Sequence, residues 1–274
     1  YNKDLMSQAG VDVSQIKMWD DLLGAVKQIK AAGITPICMG GKDKWPVHFV
    51  WTHLHIRNGG KGLFLESLNN GGWDRPEYIR SGEQMLELVE LEPFQKGWLA
   101  ATWPDQAGFF GDGKCAMAFM GNWMYGAQAS NSASGEGLAD ANMGMFNMPM
   151  TSGGIGDSGD TLGGINGWLF SSTASDAAVE LMMHYVSLDI QKEDASNGAY
   201  IPIVKGADGS LTNPFLQQVA KNISNSEYHQ IFYDQFLGAD IGRVVNDVST
   251  DLAAGIISAE EATQAVQEAW EFNQ

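Results

Sequence analysis

The clearest signal in the chain is a set of amphipathic repeats separated by glycine and proline stops. Between Trp19 and Ala32, the positions Trp19, Leu22, Leu23, Val26 and Ile29 form the i, i+3, i+4, i+7 stripe of a helix, with Gly33 as its stop. Pro76–Leu91 repeats the pattern through Tyr78, Ile79, Met85, Leu86 and Val89, and Gly238–Gly255 through Ile241, Val244, Val245, Val248 and Leu252. Ser258-Ala259-Glu260-Glu261 reads as a capping box for a last helix ending near Trp270. Shorter helices are expected over Tyr1–Gly10, from Pro46 to about Arg57 (closed by Asn58-Gly59-Gly60), from Pro104 to Phe110, over Asp176–Leu188, up to Asn197-Gly198, and from Asn213-Pro214 to about Ile223.

Short apolar runs between these helices predict strands at Ile34–Met39, Lys114–Met120, Met143–Met148, Leu162–Ser171 and, extended but broken by Pro202, Ala199–Val204. Thr151–Thr161 is glycine-rich and reads as a crossover between lobes. Many helices with scattered strands make this an α/β chain of more than one lobe. Phe109–Gly126 stands out. There a helix ends, a strand follows, and Gly121-Asn122-Trp123 opens the next helix, the handover at which open α/β sheets gather ligands.

Composition narrows the function. The 274 residues are 44% hydrophobic and 18% charged, as in a globular protein with ample core. With 33 acidic against 16 basic residues the net charge is −17, which argues against nucleic acid or anionic membrane as partner. Nothing approaches the ~20 apolar residues of a membrane span. No basic and apolar leader opens the chain, so no signal peptide is visible. Cys38 and Cys115 each lie in an apolar stretch; two buried thiols is the simpler reading, and a disulfide stays open for an exported protein.

Motifs for chemistry are sparse. His48, His53 and His55 are close in sequence, but two apart on a helix means different faces, so they read as structural rather than metal ligands. No nucleophile elbow, P-loop or dinucleotide fingerprint is present, and no cofactor is expected. The enzyme reading with most substance is a carbohydrate-active one using the loop carboxylates Asp43 and Asp234. Against it stands a binding reading built on tryptophans in turns: Trp45, Trp73, Trp123 and Trp168. One indole covering roughly 100 Å² of a sugar contributes about 2–3 kcal/mol. Micromolar affinity takes about 8 kcal/mol, so polar partners such as Asn122, Asn166, Asp43, Lys42 or Gln235 are required as well.

Six stretches in order, YNKDLMSQAG, WDDLLGAVKQIKAAGITPICMGG, FFGDGKCAMAFMGNW, GMFNMPM, NGAYIPIVKGA and AGIISAEEATQAVQEAW, resemble the extracellular solute-binding proteins of sugar-importing ABC transporters, the group that includes maltose-binding protein. The resemblance covers essentially the whole chain. It implies a periplasmic-binding-protein-like fold of two α/β lobes closing on a sugar, without chemistry. Residues 1–150 would form the first part of the C-terminal lobe, 151–206 a segment returning to the N-terminal lobe, and 207–274 the second part of the C-terminal lobe.

The family's sugar-stacking Gly-x-Trp falls on Gly121-Asn122-Trp123. By neighbourhood, Lys42, Asp43 and Trp45 are expected from one loop, Asn166 and Trp168 from the returning strand, and Tyr233, Asp234 and Gln235 from the FYDQF segment. Implied partners are a sugar ligand and the permease transmembrane subunits of the transporter, for a monomer in the periplasm or outside the cell. Two departures stand out. Met18 replaces the usual Thr or Ser helix cap, worth about 1 kcal/mol. About a hundred residues, a domain-sized piece holding the signal peptide and most of the first lobe, would precede Tyr1 in the family.

Overall fold

A computed structural model of the chain describes residues 1–164, 166–198 and 200–274, so that Ile165 of the expected fourth strand and Ala199 of the fifth lie outside the described residues. The described chain forms two compact units, one of residues 1–163 with 227–274 and a smaller one of 164–226.

In the larger unit, α1 (Lys3–Gln8) and α2 (Trp19–Ala31) lead into β1 (Thr35–Cys38), followed by α3 (Trp45–Asn70), α4 (Pro76–Glu90), α5 (Trp103–Gly111), β2 (Cys115–Ala118) and α6 (Met124–Ser130). β3 (Thr161–Gly163) closes this part of the chain. β1 and β2 pair in parallel, Thr35 opposite Cys115 and Ile37 opposite Met117. The smaller unit holds α7 (Asp176–Tyr185), α8 (Leu188–Ser196) and α9 (Pro214–Asn225). The chain then re-enters the larger unit through β4 (His229–Ile231), parallel to β3, and ends in α10 (Tyr233–Phe236), α11 (Ala239–Ala253) and α12 (Ala259–Phe272).

The apolar stripes form helices where their spacing predicts, although Leu23, Ile79, Leu86, Val89 and Val244 are only half-buried. α2 buries Trp19, Leu22, Val26 and Ile29; α4 buries Tyr78, Met85 and Leu88; α11 buries Ile241, Val245, Val248 and Leu252. Val26, Ile29, Leu54, Met85 and Val245 have no exposed surface, and burying each contributes about 1.5–3 kcal/mol. α4 and α12 approach closely because Gly82 has no side chain: a Cβ there would sit 2.7 Å from that of Ala259. The Ser258–Glu261 capping box forms as expected. At α2, where Met18 offers no cap oxygen, the Asp21 carboxylate accepts from the Lys17 and Met18 N–H groups instead.

Four expectations are corrected. Cys38 and Cys115 are not free thiols; they form a disulfide between the neighbouring strands β1 and β2, Cα atoms 5.5 Å apart. The helix from Trp45 does not end at Asn58-Gly59-Gly60 but bends at Gly60 (φ 59°) and continues to Asn70. Met143–Met148 is no strand. It carries one single bridge, Met143 to Asn2, and beyond its end Met150 bridges Met18. Among the described residues of the expected strand Leu162–Ser171, Leu162 and Gly163 alone pair, in β3.

The glycine-rich stretch is no slack linker either. Arg57, wholly buried, donates to the carbonyls of Met148, Asp157, Ser158 and Asp160. Asn58 accepts from the Thr151 hydroxyl and donates to Ser81 and Gln84. Gly154 and Gly156 lie so close to the α3 backbone that a Cβ would come within 2.3 Å of the Arg57 carbonyl oxygen or 2.1 Å of that of Ile56. Glycine is needed there for close approach. Burial pushes the Arg57 pKa down to about 10, which leaves it charged at neutral pH.

Candidate functional site

Two side-chain amides, the half-buried Gln95 and the buried Gln106, shape the loop after β1. Gln95 bonds both the N–H and the carbonyl of Met39, and the Gln106 side chain accepts from Gly40 N–H at 3.0 Å. The loop then packs against its neighbours: a Cβ on Gly41 would meet the Trp98 ring at 2.5 Å. In the turn that follows, Asp43 accepts from the backbone N–H of Trp103 at 2.7 Å, which ties this loop to the start of α5. The Lys42 N–H donates to the Ala101 carbonyl, and its side chain is exposed. Lys44 occupies the left-handed region at φ 63°, unusual for a residue with a Cβ. Its ammonium pairs with Asp247 at 2.6 Å, and Arg243 pairs with the same carboxylate. Trp45 and Pro46 then start α3, where a proline costs no hydrogen bond.

On the other side, the chain leaves β2 through Gly121. The Trp123 indole folds back over that glycine, where a Cβ would be 2.2 Å from Cζ3, so the glycine is what lets the ring lie there. Trp123 stands at the N-cap of α6, 38% exposed. Its ring centroid is 6.4 Å from Trp45, 6.2 Å from Phe49 and 6.0 Å from Phe232. Phe49 and Phe232 stack at 4.3 Å and 15°, and Trp45 also meets Trp103 at 5.7 Å. The result is an aromatic face with buried phenyls as its floor and partly exposed indoles on its surface.

Beside this floor lies a polar pair. His48, fully buried against the Phe49 and Phe232 rings, has Nε2 3.7 Å from Asp234 Oδ1, while Asp234 Oδ2 accepts from Asn246. Burial lowers the His48 pKa to about 4 despite the nearby carboxylate, so the imidazole is neutral at physiological pH. Burial likewise brings His53 and His55 to about 3. Among the described residues no cluster of three or more His, Cys, Asp or Glu has the arrangement of a metal site.

Of the residues singled out in the sequence, Trp45 and Trp123 meet directly, with Lys42 and Asp43 in the adjoining loop and Asp234 beside the phenyl floor. Asn122 lies one residue before Trp123 at the α6 start, and Gln235 is exposed on α10. Asn166 and Trp168 belong to the smaller unit. Both are exposed, Trp168 by 67%, with its ring edge on Tyr185. Trp73 is core, stacked on Tyr78. Sequence reasoning missed Phe49, Trp103 and Phe232. A signal for one of them was present: Trp103-Pro104 repeats the Trp45-Pro46 dipeptide at a helix start. The two carboxylates offer little to a hydrolase, since Asp43 holds a helix N–H and Asp234, on α10, faces Asn246 and His48.

Comparison with known proteins bears on the fold and the family. A curated relative, an uncharacterised ABC transporter extracellular-binding protein of Pyrococcus horikoshii, is 29% identical over 127 residues; the match spans 46% of this chain and only 28% of that protein. Among solved structures, one from work on xylan utilization by Caldanaerobius polysaccharolyticus superposes with a TM-score of 0.83 at 23% identity, covering 97% of this chain and 68% of that one. A chitin oligosaccharide binding protein gives 0.81 at 23%, covering 99% and 68%. These structural likenesses establish the fold, an α/β fold of the two-lobe periplasmic-binding-protein type. The model of the bacterial extracellular solute-binding protein family matches residues 1–193, and the chain belongs to that family.

Proposed function

We propose that this chain binds a sugar, mono- or oligosaccharide, for an ABC importer and hands it to the permease transmembrane subunits. The observation that carries this reading is the aromatic face on which Trp45 and Trp123 meet over the Phe49–Phe232 stack. A sugar's apolar side gains about 2–3 kcal/mol from one indole. Hydrogen bonds of about 1 kcal/mol each, more with charged partners, bring the total toward micromolar affinity. Asn122, Lys42, Asp43, Asp234 and Gln235 are the polar partners proposed around this face; Asn166 and Trp168, in the smaller unit, are proposed separately as sugar contacts. The Cys38–Cys115 disulfide supports action in an oxidising compartment, the periplasm or the cell exterior. The acidic balance argues against nucleic acid as ligand, and the protein is proposed to act as a monomer.

A thermal-shift screen over mono- and oligosaccharides, followed by calorimetry on the hits, tests the reading. Trp123→Ala is expected to weaken binding at least 30-fold, equivalent to about 2 kcal/mol, while moving the melting temperature by only about 2–4 °C, since the residue is 38% exposed and only part of its packing is lost. Unchanged affinity would move the site elsewhere, and a screen with no carbohydrate hit would sink the proposal. Release of reducing ends from any hit would restore the hydrolase.

A further inference from the structure

A second concavity, of about 480 Å³, opens where the start of α2 meets α4 and the glycine-rich stretch. Small-molecule sites fall in the range of about 300–1,000 Å³. α4 lines it with Arg80, Gln84 and Glu87, whose spacing of four and three residues sets them in one row along the helix. Trp19 and Asp20 line it from α2. The Arg80 guanidinium lies beside Gly153, where a Cβ would sit 3.5 Å from Nη1, and the lining residue Ser152 is next to that glycine in the chain.

The row runs from a cation through an amide to an anion, and each has bonding capacity left over. Arg57 is held by carbonyls, Arg75 by Glu66 and Arg243 by Asp247. Among the described residues Arg80 is the one arginine of four without a hydrogen-bond or ion-pair partner. Gln84 is only 8% exposed; its Oε1 accepts from Asn58, while its Nε2 has no acceptor among the described residues. Glu87 accepts from the Trp19 indole N–H through Oε2 at 3.1 Å, which orients the carboxylate and leaves Oε1 open. In a protein of net charge −17, a guanidinium without a counter-charge is a place that an anion can fill.

From this row we propose a second binding site, for a small zwitterion of the length of a dipeptide or an ω-amino acid. Its carboxylate takes the Arg80 fork and the Ser152 hydroxyl, and its ammonium meets Glu87 and Asp20. The Gln84 amide donates to an oxygen between them, the position of a dipeptide's own carbonyl. Arg80 and Glu87 are seven residues apart, about 10 Å along the helix axis. Two charge-assisted bonds of about 2.8 Å each leave about 5 Å between the charges of the ligand. An α-amino acid, with both groups on one carbon, is too short for that row. A neutral sugar offers it no charge, so this site is independent of the carbohydrate reading above.

Saturation-transfer NMR and calorimetry on the full chain test the proposal, with glycylglycine, alanylalanine and 4-aminobutyrate as probes and glycine, butyrate and butylamine as controls. The three probes are expected to bind at least tenfold more tightly than any control. Arg80→Gln is expected to lose at least tenfold for glycylglycine while leaving any carbohydrate affinity within twofold. Arg80→Lys, which keeps the charge without the fork, is expected to fall between the two. Glu87→Gln, whose amide oxygen can still accept from Trp19, is expected to lose at least fivefold. Equal binding of glycylglycine and its single-charge controls overturns the proposal, and so does an Arg80→Gln protein with unchanged affinity. If a variant does not fold, the ranking of probes and controls on the unaltered protein decides the matter. No binding of any probe also overturns this site, and it leaves the carbohydrate reading untouched.

Discussion

The larger and the smaller unit handle their apolar surface in different ways. In the larger unit, the stripes of α2, α3, α4, α11 and α12 close on one another around Trp51, Leu54, Phe64, Tyr78 and Leu252. A disulfide and a buried guanidinium tie sequence-distant segments into that core. In the smaller unit, the core cluster among the described residues is Ala195, Leu211 and Leu216, with Ile201, Phe215 and Ala220 packed against it. Trp168, Leu169, Phe170, Leu181, Met183 and Ile203 are exposed there, Leu169 almost completely. A piece that small buries too little surface to offset its own conformational entropy comfortably. One unit carries its stability within itself, while the other has little of its own.

Four perturbations probe that contrast. The largest loss is expected from Arg57→Met, which removes the donor to four carbonyls in the larger unit. At about 1–3 kcal/mol for each buried acceptor left unpaired, partly relieved by water, the cost is about 4 kcal/mol or more. Urea unfolding followed by tryptophan fluorescence measures it, and a loss under 1 kcal/mol would mean that the clamp contributes little. Reducing Cys38–Cys115, which closes a loop of 77 residues, is expected to cost about 4 kcal/mol in the same assay with and without a phosphine reductant.

Acid comes next. His48, His53 and His55 are held neutral in the fold, their pKa values lowered from 6.5 to about 4, 3 and 3. Below about pH 6.5 the unfolded chain binds protons that the folded one does not. Stability is therefore fully present above that pH and falls as pH drops toward 4. Between pH 7 and 5.5 the expected loss is about 1 kcal/mol per histidine. A flat melting temperature over that range would contradict the burial of the three rings.

The smallest effects separate core from surface within the smaller unit. Leu216→Ala is expected to cost about 2–3 kcal/mol, and Leu169→Ser less than about 0.5 kcal/mol. Amide exchange over α9 reads the difference locally. Equal protection losses in the two variants would erase the distinction between the core of that unit and its surface.

What could be read from the sequence follows the range of the interaction. α2, α4, α11 and α12 were legible because their stripes, stops and caps are local. Gly59-Gly60 misled for a local reason: two glycines usually end a helix, but here Gly60 takes up a bend against Gly156 and the helix resumes. The Cys38–Cys115 bridge depends on two strands pairing across a long stretch of chain, which no nearby residue announces. Met143–Met148 has strand composition, yet its neighbours offer it a single bridge. The proposed binding face was half legible. Trp45 and Trp123 were conspicuous in turns, whereas Phe49 and Phe232 look like ordinary core residues. Only the return of the chain through β4 and α10 brings Phe232 onto Phe49.

The three helix starts of Trp45, Trp103 and Trp123 also bear on how this chain can diversify. The first residues of a helix lie outside its repeating N–H to carbonyl ladder, and for that reason Pro46 and Pro104 are accommodated in the opening turns of α3 and α5. A side chain presented from such a position can be exchanged without breaking a rung. Positions 45, 103 and 123 therefore form a set of side chains that can be exchanged while the scaffold beneath keeps its hydrogen bonds.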